Sequence, residues 1–265
     1  MAGHLISRYF SNDDNFQIYE VKSNQINNSW TLLKRQINNV KPDIIINSLR
    51  ITVEESEKDP KIAILINSII PKKLELLFLN TDVKIIHLST DCVFSGKKGN
   101  YSEKELPESK TIYGMTKFCG EIINRKDLTI RTSYIGPNLE NKNEEIFDWF
   151  LKQNNDVNGY TNAIWNGVTT LELAKKIHES IKENITGLYH LCQNKKISKY
   201  NLLLLIQKQW NLEYINLIKS SDLIIDRSLK DNRNTLLVNN YTNMFEELYD
   251  FMQNLNEIYG HYKIN

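Results

Sequence analysis

Ile85-Ile86-His87-Leu88-Ser89-Thr90-Asp91-Cys92-Val93-Phe94-Ser95-Gly96 is a short apolar run that breaks into a hydroxyl cluster and a glycine-closed loop. A run this short and this apolar has no polar face to turn to water, so it predicts a strand buried on both sides of a sheet. Working outward, Leu128 to Arg131 and Ile44-Ile45-Ile46 have the same character, the latter entered through Lys41-Pro42-Asp43. Trp30 to Asn39, Pro60 to Leu79 and the segment holding Tyr113 carry helical spacing between them. Short buried strands alternating with helices predict an α/β fold: a doubly wound, Rossmann-like parallel sheet covered on both faces. Phe16 to Val21 is a further strand candidate.

The texture changes after Gly136-Pro137. Ile146 to Gln153 and Leu171 to Glu183 read as helices, and Gly187-Leu188-Tyr189-His190 as a returning strand. Ser198 is a natural N-cap for a helix from Lys199 to Trp210, and Tyr241 to Tyr259 is amphipathic. Residues 1–136 therefore form the larger part and residues 137–265 a smaller C-terminal α/β part.

With 33 basic and 32 acidic side chains the formal net charge is +1. That balance argues against a general nucleic-acid or membrane-surface binder, since both need a basic excess. Cys92, Cys119 and Cys192 stand at wide spacings with no CxxC pair, so neither a zinc site nor a disulfide framework is signalled and inert thiols are expected. The five histidines are too scattered for a metal cage, and His87 reads as a satisfied core histidine. Met1-Ala2-Gly3-His4 lacks the pattern of a secretion signal. The longest apolar run, Ile62 to Pro71, is broken by Asn67 and Ser68, well short of a membrane span. A cytoplasmic protein is expected.

Tyr113-Gly114-Met115-Thr116-Lys117 carries the chemistry. Residues four apart share a helix face, so phenol and ammonium point into one cleft. A lysine beside a tyrosine favours the phenolate, which suits a proton donor to a developing alkoxide. Ser89 and Thr90 lie where a parallel strand runs out, and Thr90 could bond a substrate oxygen beside that phenol; capping the turn is the competing role.

STDCVFSG followed by YGMTK resembles the extended short-chain dehydrogenase/reductase superfamily, and more closely the dTDP-4-dehydrorhamnose reductase family. Lys41-Pro-Asp-Ile-Ile-Ile-Asn47, Ile130 to Gly136, Gly167 to Ala174 and Ser198 to Leu203 agree with that family in order and spacing. The resemblance implies reduction of a nucleotide-linked 4-keto-6-deoxy sugar by NAD(P)H, in polysaccharide biosynthesis. Tyr113 would donate the proton, Lys117 hold the nicotinamide ribose and lower the tyrosine pKa, and Thr90 orient the carbonyl. Gly3, Lys22, Asn47, Ser89 and Lys117 would line the cofactor within residues 1–136. Thr52, Asp91, Cys92, Val93, Phe94, Trp165 and Arg227 would meet the substrate, most of residues 137–265 serving that side. Trp165 belongs to the amide- and aromatic-rich loop Asn158 to Gly167, and Arg227 is the expected diphosphate ligand. The resemblance leaves room for a homodimer.

Three departures stand out. Met1-Ala2-Gly3-His4-Leu5-Ile6 matches only the end of the family's glycine-rich opening, so the first strand is expected to be missing. Either translation starts upstream or the chain is a truncated relative. Arg50 interrupts the small-residue run after Asn47, where a solvated arginine is the simpler expectation. Lys22 follows Phe16 to Val21 where NAD enzymes hold an acid, which favours NADP. A non-catalytic NADP-binding regulatory subunit, a vestigial homologue, and a sugar-nucleotide epimerase are the alternatives.

Overall fold

The computed structural model describes residues 1–22, 29–139 and 145–262. Among them β1 (Ile44–Asn47), β2 (Lys84–Leu88), β3 (Leu128–Arg131) and the strand Gly187–His190 pair in that order in one four-stranded sheet. Every pairing is parallel, with Asn47 opposite His87 and Leu88 opposite Ile130. The strands therefore run out at a common end, and the loops following Asn47, Leu88 and Arg131 meet there. Open parallel sheets bind ligands at that end.

Side chains alternate across the sheet, which is why the apolar runs are continuous. Ile86, Leu88, Leu128 and Ile130 pack on one face with Leu5 and Ile6 of α1 (Ala2–Phe10) and with Leu173, Ile177 and Leu248. Ile85 points to the other face, against Leu33 and Ile37 of α2 (Trp30–Val40), Ile66, Ile70 and Leu74. Burial of each of these isoleucines contributes roughly 1.5–3 kcal/mol.

Phe16 to Val21 forms no strand. Phe16 and Ile18 lean on the first cluster and Val21 on the second. A strand needs a neighbour to complete its ladder, and no described strand lies beside this segment. Asn158 to Gly167 departs from expectation in the opposite sense: it contains two short strands, Val157–Tyr160 and Ala163–Trp165. Val157 and Gly159, then Ala163 and Trp165, alternate inward, and the strands pair with Leu217–Ser220 and Ile225–Asp226. The helix over Tyr241 to Tyr259 is interrupted at Leu255.

Pro60 to Phe78 is helical throughout but passes through a π-helical turn at Ile64–Ile69. That turn holds the Asn67-Ser68 break in the apolar run. Asn67 Nδ2 donates to Thr116 Oγ1 at 3.1 Å and Ser68 Oγ to the Thr116 carbonyl at 2.7 Å. Both bonds clamp the helix Ile112–Cys119, which carries Tyr113 and Lys117. Gly120 completes the clamp, because a Cβ there would collide with the Asn67 carbonyl oxygen. Gly120→Ala should therefore cost about 1–3 kcal/mol by overpacking, read as a lowered urea midpoint at unchanged slope. A loss within a few tenths would mean that the π turn yields.

Candidate active site

Thr111 caps the helix Ile112–Cys119, its Oγ1 accepting from the Gly114 N–H at 3.1 Å, and Glu57 Oε1 takes the Ile112 N–H at 2.9 Å. Gly114 sits where a Cβ would strike the Cys92 carbonyl, so the helix lies directly on the 3₁₀ turn Asp91–Val93. This brings Tyr113 beside Thr90. Thr90 Oγ1 accepts from the Cys92 N–H at 3.1 Å and donates to Asp91 Oδ1 at 3.2 Å, and its hydroxyl pulls the Tyr113 phenol toward ionisation. It thus caps the turn on which the Tyr113 helix lies.

Tyr113 is 7% exposed, and burial raises its phenol above the ordinary tyrosine value. The Arg50 charge and the Thr90 bond pull the other way, while Cys92 and Tyr134 add to the rise. Lys117 is fully buried and donates to the Leu88 carbonyl at 2.6 Å. Burial brings its ammonium down to about 7, with Glu121 opposing and Arg50 reinforcing. Its nitrogen is thus fixed at the end of β2.

Behind Lys117 lies a closed network. Glu121 accepts from Arg131 Nε at 2.7 Å and from Arg131 NH2 at 2.8 Å, and also from Ser89 Oγ at 2.7 Å. Arg131 lies over the Phe94 ring at 5.3 Å and reaches His190 Nε2 at 3.3 Å. Burial first, then Arg131, lowers His190 to about 3, so it is neutral.

Arg50 is only partly solvated. Its side chain is 23% exposed, and it pairs with Glu145, the N-cap of the helix Ile146–Phe150. The pair joins the loop after β1 to the C-terminal part, across the end of the sheet that holds Tyr113.

From the C-terminal part, Arg227 donates from Nε to the Phe94 carbonyl at 3.1 Å and lies 3.8 Å from Cys92 Sγ. Lys199 Nζ sits 5.6 Å over the Trp165 ring. Burial lowers the Lys199 ammonium, opposed by Asp91, Cys92 and Glu145. Lys199 was not among the residues singled out from the sequence; its only signal was its place just after the capping Ser198.

A family model described as the RmlD substrate binding domain matches residues 2–261. The chain belongs to this family. It is 29% identical over 187 residues to the spore coat polysaccharide biosynthesis protein SpsK of Bacillus subtilis, covering 68% of this chain and 66% of that one. It is 28% identical over 168 residues to a dTDP-4-dehydrorhamnose reductase of Sinorhizobium fredii, covering 58% of this chain and 57% of the other. The chain thus matches less than two thirds of the length of these relatives. A solved dTDP-4-dehydrorhamnose reductase from Bacillus anthracis, in complex with NADP, superposes with TM-score 0.81 at 21% identity. The superposition covers 94% of this chain and 95% of that one, and establishes the shared fold.

At Gly3 a Cβ would lie 2.8 Å from Ser48 Oγ. The first turn of α1 is thereby pressed onto the loop after β1 and bears no acidic residue. An anionic group such as a cofactor pyrophosphate fits a helix N-terminus of this kind. The other expected cofactor residues are distributed differently. Asn47 is buried, its Nδ2 on His87 Nδ1 at 3.0 Å and its Oδ1 on the Leu49 N–H at 3.2 Å. Ser89 faces Glu121, and Lys22 is exposed on the segment after Phe16.

Among the expected substrate residues, Thr52 caps α3 (Val53–Lys58) in a reciprocal bond with Glu55. Val93 and Phe94 bury their side chains completely, Phe94 stacking on Tyr101 at 4.2 Å, so only their backbone can reach a ligand. Burial and Asp91 push the Cys92 thiol up to about 12, which removes it as a nucleophile. Of the three free cysteines, Cys119 is exposed and Cys192 buried. His87 is buried and neutral but only half satisfied: its Nε2 has no partner among the described residues. No helix among the described residues is long and apolar enough to cross a membrane, and none of their His, Cys, Asp and Glu side chains cluster as a metal cage.

Proposed function

We propose that the chain is a nicotinamide-dependent reductase of a nucleotide-linked keto sugar. The observation that carries this reading is the gathering of Thr90, Tyr113 and Lys117 where β2 runs out, in a chain whose family match spans residues 2–261. Gly3 and Lys117 would hold the nicotinamide nucleotide, which supplies the hydride when bound, while Asn47 and Ser89, committed to His87 and Glu121, fix the strand ends beside it. An ammonium has three donors, and Lys117 uses one on Leu88, leaving others for ribose hydroxyls.

The chain's own residues move and hold the proton. Tyr113 Oη gives its proton to the alkoxide oxygen, and the Thr90 hydroxyl orients the carbonyl. Arg227 and Lys199 neutralise the substrate diphosphate, and Trp165 carries Lys199 on its ring. Lys22, a base where an NAD enzyme would hold an acid, favours NADP. A 4-keto-6-deoxy sugar, polysaccharide biosynthesis and a cytoplasmic setting go with this reading.

The test is direct. NADPH should bind this chain with micromolar affinity, more tightly than NADH, and be oxidised when dTDP-4-keto-6-deoxy sugar is added. Binding without oxidation across 4-keto sugar nucleotides would favour a regulatory subunit instead, and interconversion of sugars without net NADPH loss an epimerase.

A further inference from the structure

The helix Ile112–Cys119 is tied down firmly behind Tyr113 and lightly in front of it. Behind, Lys117 donates to the Leu88 carbonyl at 2.6 Å, Ser68 Oγ donates to the Thr116 carbonyl at 2.7 Å, and Gly120 lies against the Asn67 carbonyl. Tyr113 itself is the second residue of the helix, in a first turn whose N–H groups find no partner within the helix. Thr111 takes the Gly114 N–H at 3.1 Å, but it belongs to the same segment. Among the described residues, the bond to this turn from another element is that of Glu57, whose Oε1 accepts from the Ile112 N–H at 2.9 Å. Ile112 shares its next peptide bond with Tyr113, so the contact fixes the backbone from which the phenol hangs.

Glu57 belongs to α3, and α3 starts in the loop after β1. Its start is fixed: Thr52 Oγ1 accepts from the Glu55 N–H at 3.2 Å, and Glu55 Oε2 accepts from the Thr52 N–H at 2.8 Å. Ser56, which is fully buried, donates from Oγ to the Thr52 carbonyl at 2.8 Å. Ser48, in the same loop, meets Gly3 of α1. One short, well-capped helix thus spans from the strand end where the nicotinamide nucleotide would lie to the peptide that carries the phenol. We propose that Glu57 is a positioning residue for Tyr113, holding the first turn of its helix in register with the loop after β1. This rests on the reading of Tyr113 as proton donor. Gly114 sets how closely the helix approaches the Asp91–Val93 turn, and Glu57 supplies the bond that keeps its first turn from fraying. A carboxylate suits that place, because the helix dipole favours a negative group at the N-terminus.

Glu57 is exposed, so its replacement leaves the core intact. Glu57→Ala should lower kcat for a 4-keto sugar nucleotide about tenfold, since misplacing a reacting group by about 1 Å can cost about 10²-fold. KM for NADPH and for the sugar nucleotide should stay nearly unchanged. Glu57→Gln keeps an acceptor of the same reach and should recover most of the rate. Glu54→Ala removes an exposed carboxylate of the same helix, paired with Lys58, and should change neither constant. A rise in KM at unchanged kcat, or a glutamine variant as slow as the alanine one, overturns the assignment. A ring-fluorinated tyrosine at position 113 reads the same position without substrate. Its ¹⁹F resonance should shift or broaden in Glu57→Ala and return in Glu57→Gln, and a resonance unmoved in Glu57→Ala overturns the proposal. A chain that turns over no sugar nucleotide still gives this spectrum, so failure of the reductase reading and failure of this proposal are told apart.

Discussion

Tyr113→Phe should lower kcat/KM for a 4-keto sugar nucleotide about 10²- to 10⁴-fold, with NADPH affinity and the thermal midpoint nearly unchanged. The substitution removes one hydroxyl from a side chain that is 7% exposed and leaves the ring packed where it was. What is lost is the proton that must reach the alkoxide as hydride arrives, equivalent to about 3–5 kcal/mol of barrier. Thr90→Val should act more mildly, because it removes orientation and leaves the donor. The Thr90 hydroxyl also caps the Asp91–Val93 turn, so this variant should lose some stability as well, which Tyr113→Phe should not. Steady-state NADPH oxidation, with unfolding followed in parallel, separates the two. Turnover undiminished in Tyr113→Phe would remove the phenol from the reaction.

The fold was legible because parallel-sheet strands covered on both faces leave a distinctive mark: Ile44-Ile45-Ile46 and Ile85-Ile86 are wholly apolar, and the polar residues of the neighbouring strand positions, His87, Thr129 and Arg131, are buried as well. The centre of the site was legible for a related reason. Tyr113 and Lys117 lie four apart on one helix, and Thr90 lies at a strand end, so local spacing places all three. Phe16 to Val21 misled because pairing is a property of neighbours, and propensity cannot supply one. Arg50 and Lys199 were hidden for the opposite reason. Each is an ordinary basic residue in its local sequence, and only contacts distant along the chain, Glu145 for Arg50 and Trp165 for Lys199, draw them into the cleft. The two helix glycines, Gly114 and Gly120, sat in plain view within YGMTKFCG, but their meaning lies in the carbonyls of Cys92 and Asn67 that they admit.

The buried pair behind the site should be the most sensitive point for stability. Arg131 and Glu121 are at most 2% exposed and bonded bidentately, and each is further engaged, Glu121 by Ser89 and Arg131 by Phe94 and His190. Arg131→Met strands the Glu121 carboxylate without its cation and should cost about 3–5 kcal/mol in urea unfolding, a large share of the 5–15 kcal/mol typical of a domain. The double variant Arg131→Met with Glu121→Gln removes both charges and should recover part of that loss, a coupling that a double-mutant cycle measures. Equal losses in the single and double variants would show that the arginine acts by filling space. Glu121→Gln alone has a second effect that a purely structural pair would lack. Glu121 is the group that holds the Lys117 ammonium up against burial. Neutralising it should drop Lys117 below its value of about 7, so the lysine sheds its charge in the neutral range. Any cofactor ribose or phosphate contact that needs the ammonium should then weaken as pH rises through a lower midpoint than in the wild-type chain. NADPH affinity against pH, compared between the two proteins, reads that displacement directly: a profile that does not move toward acid in Glu121→Gln would separate the buried pair from the chemistry in front of it.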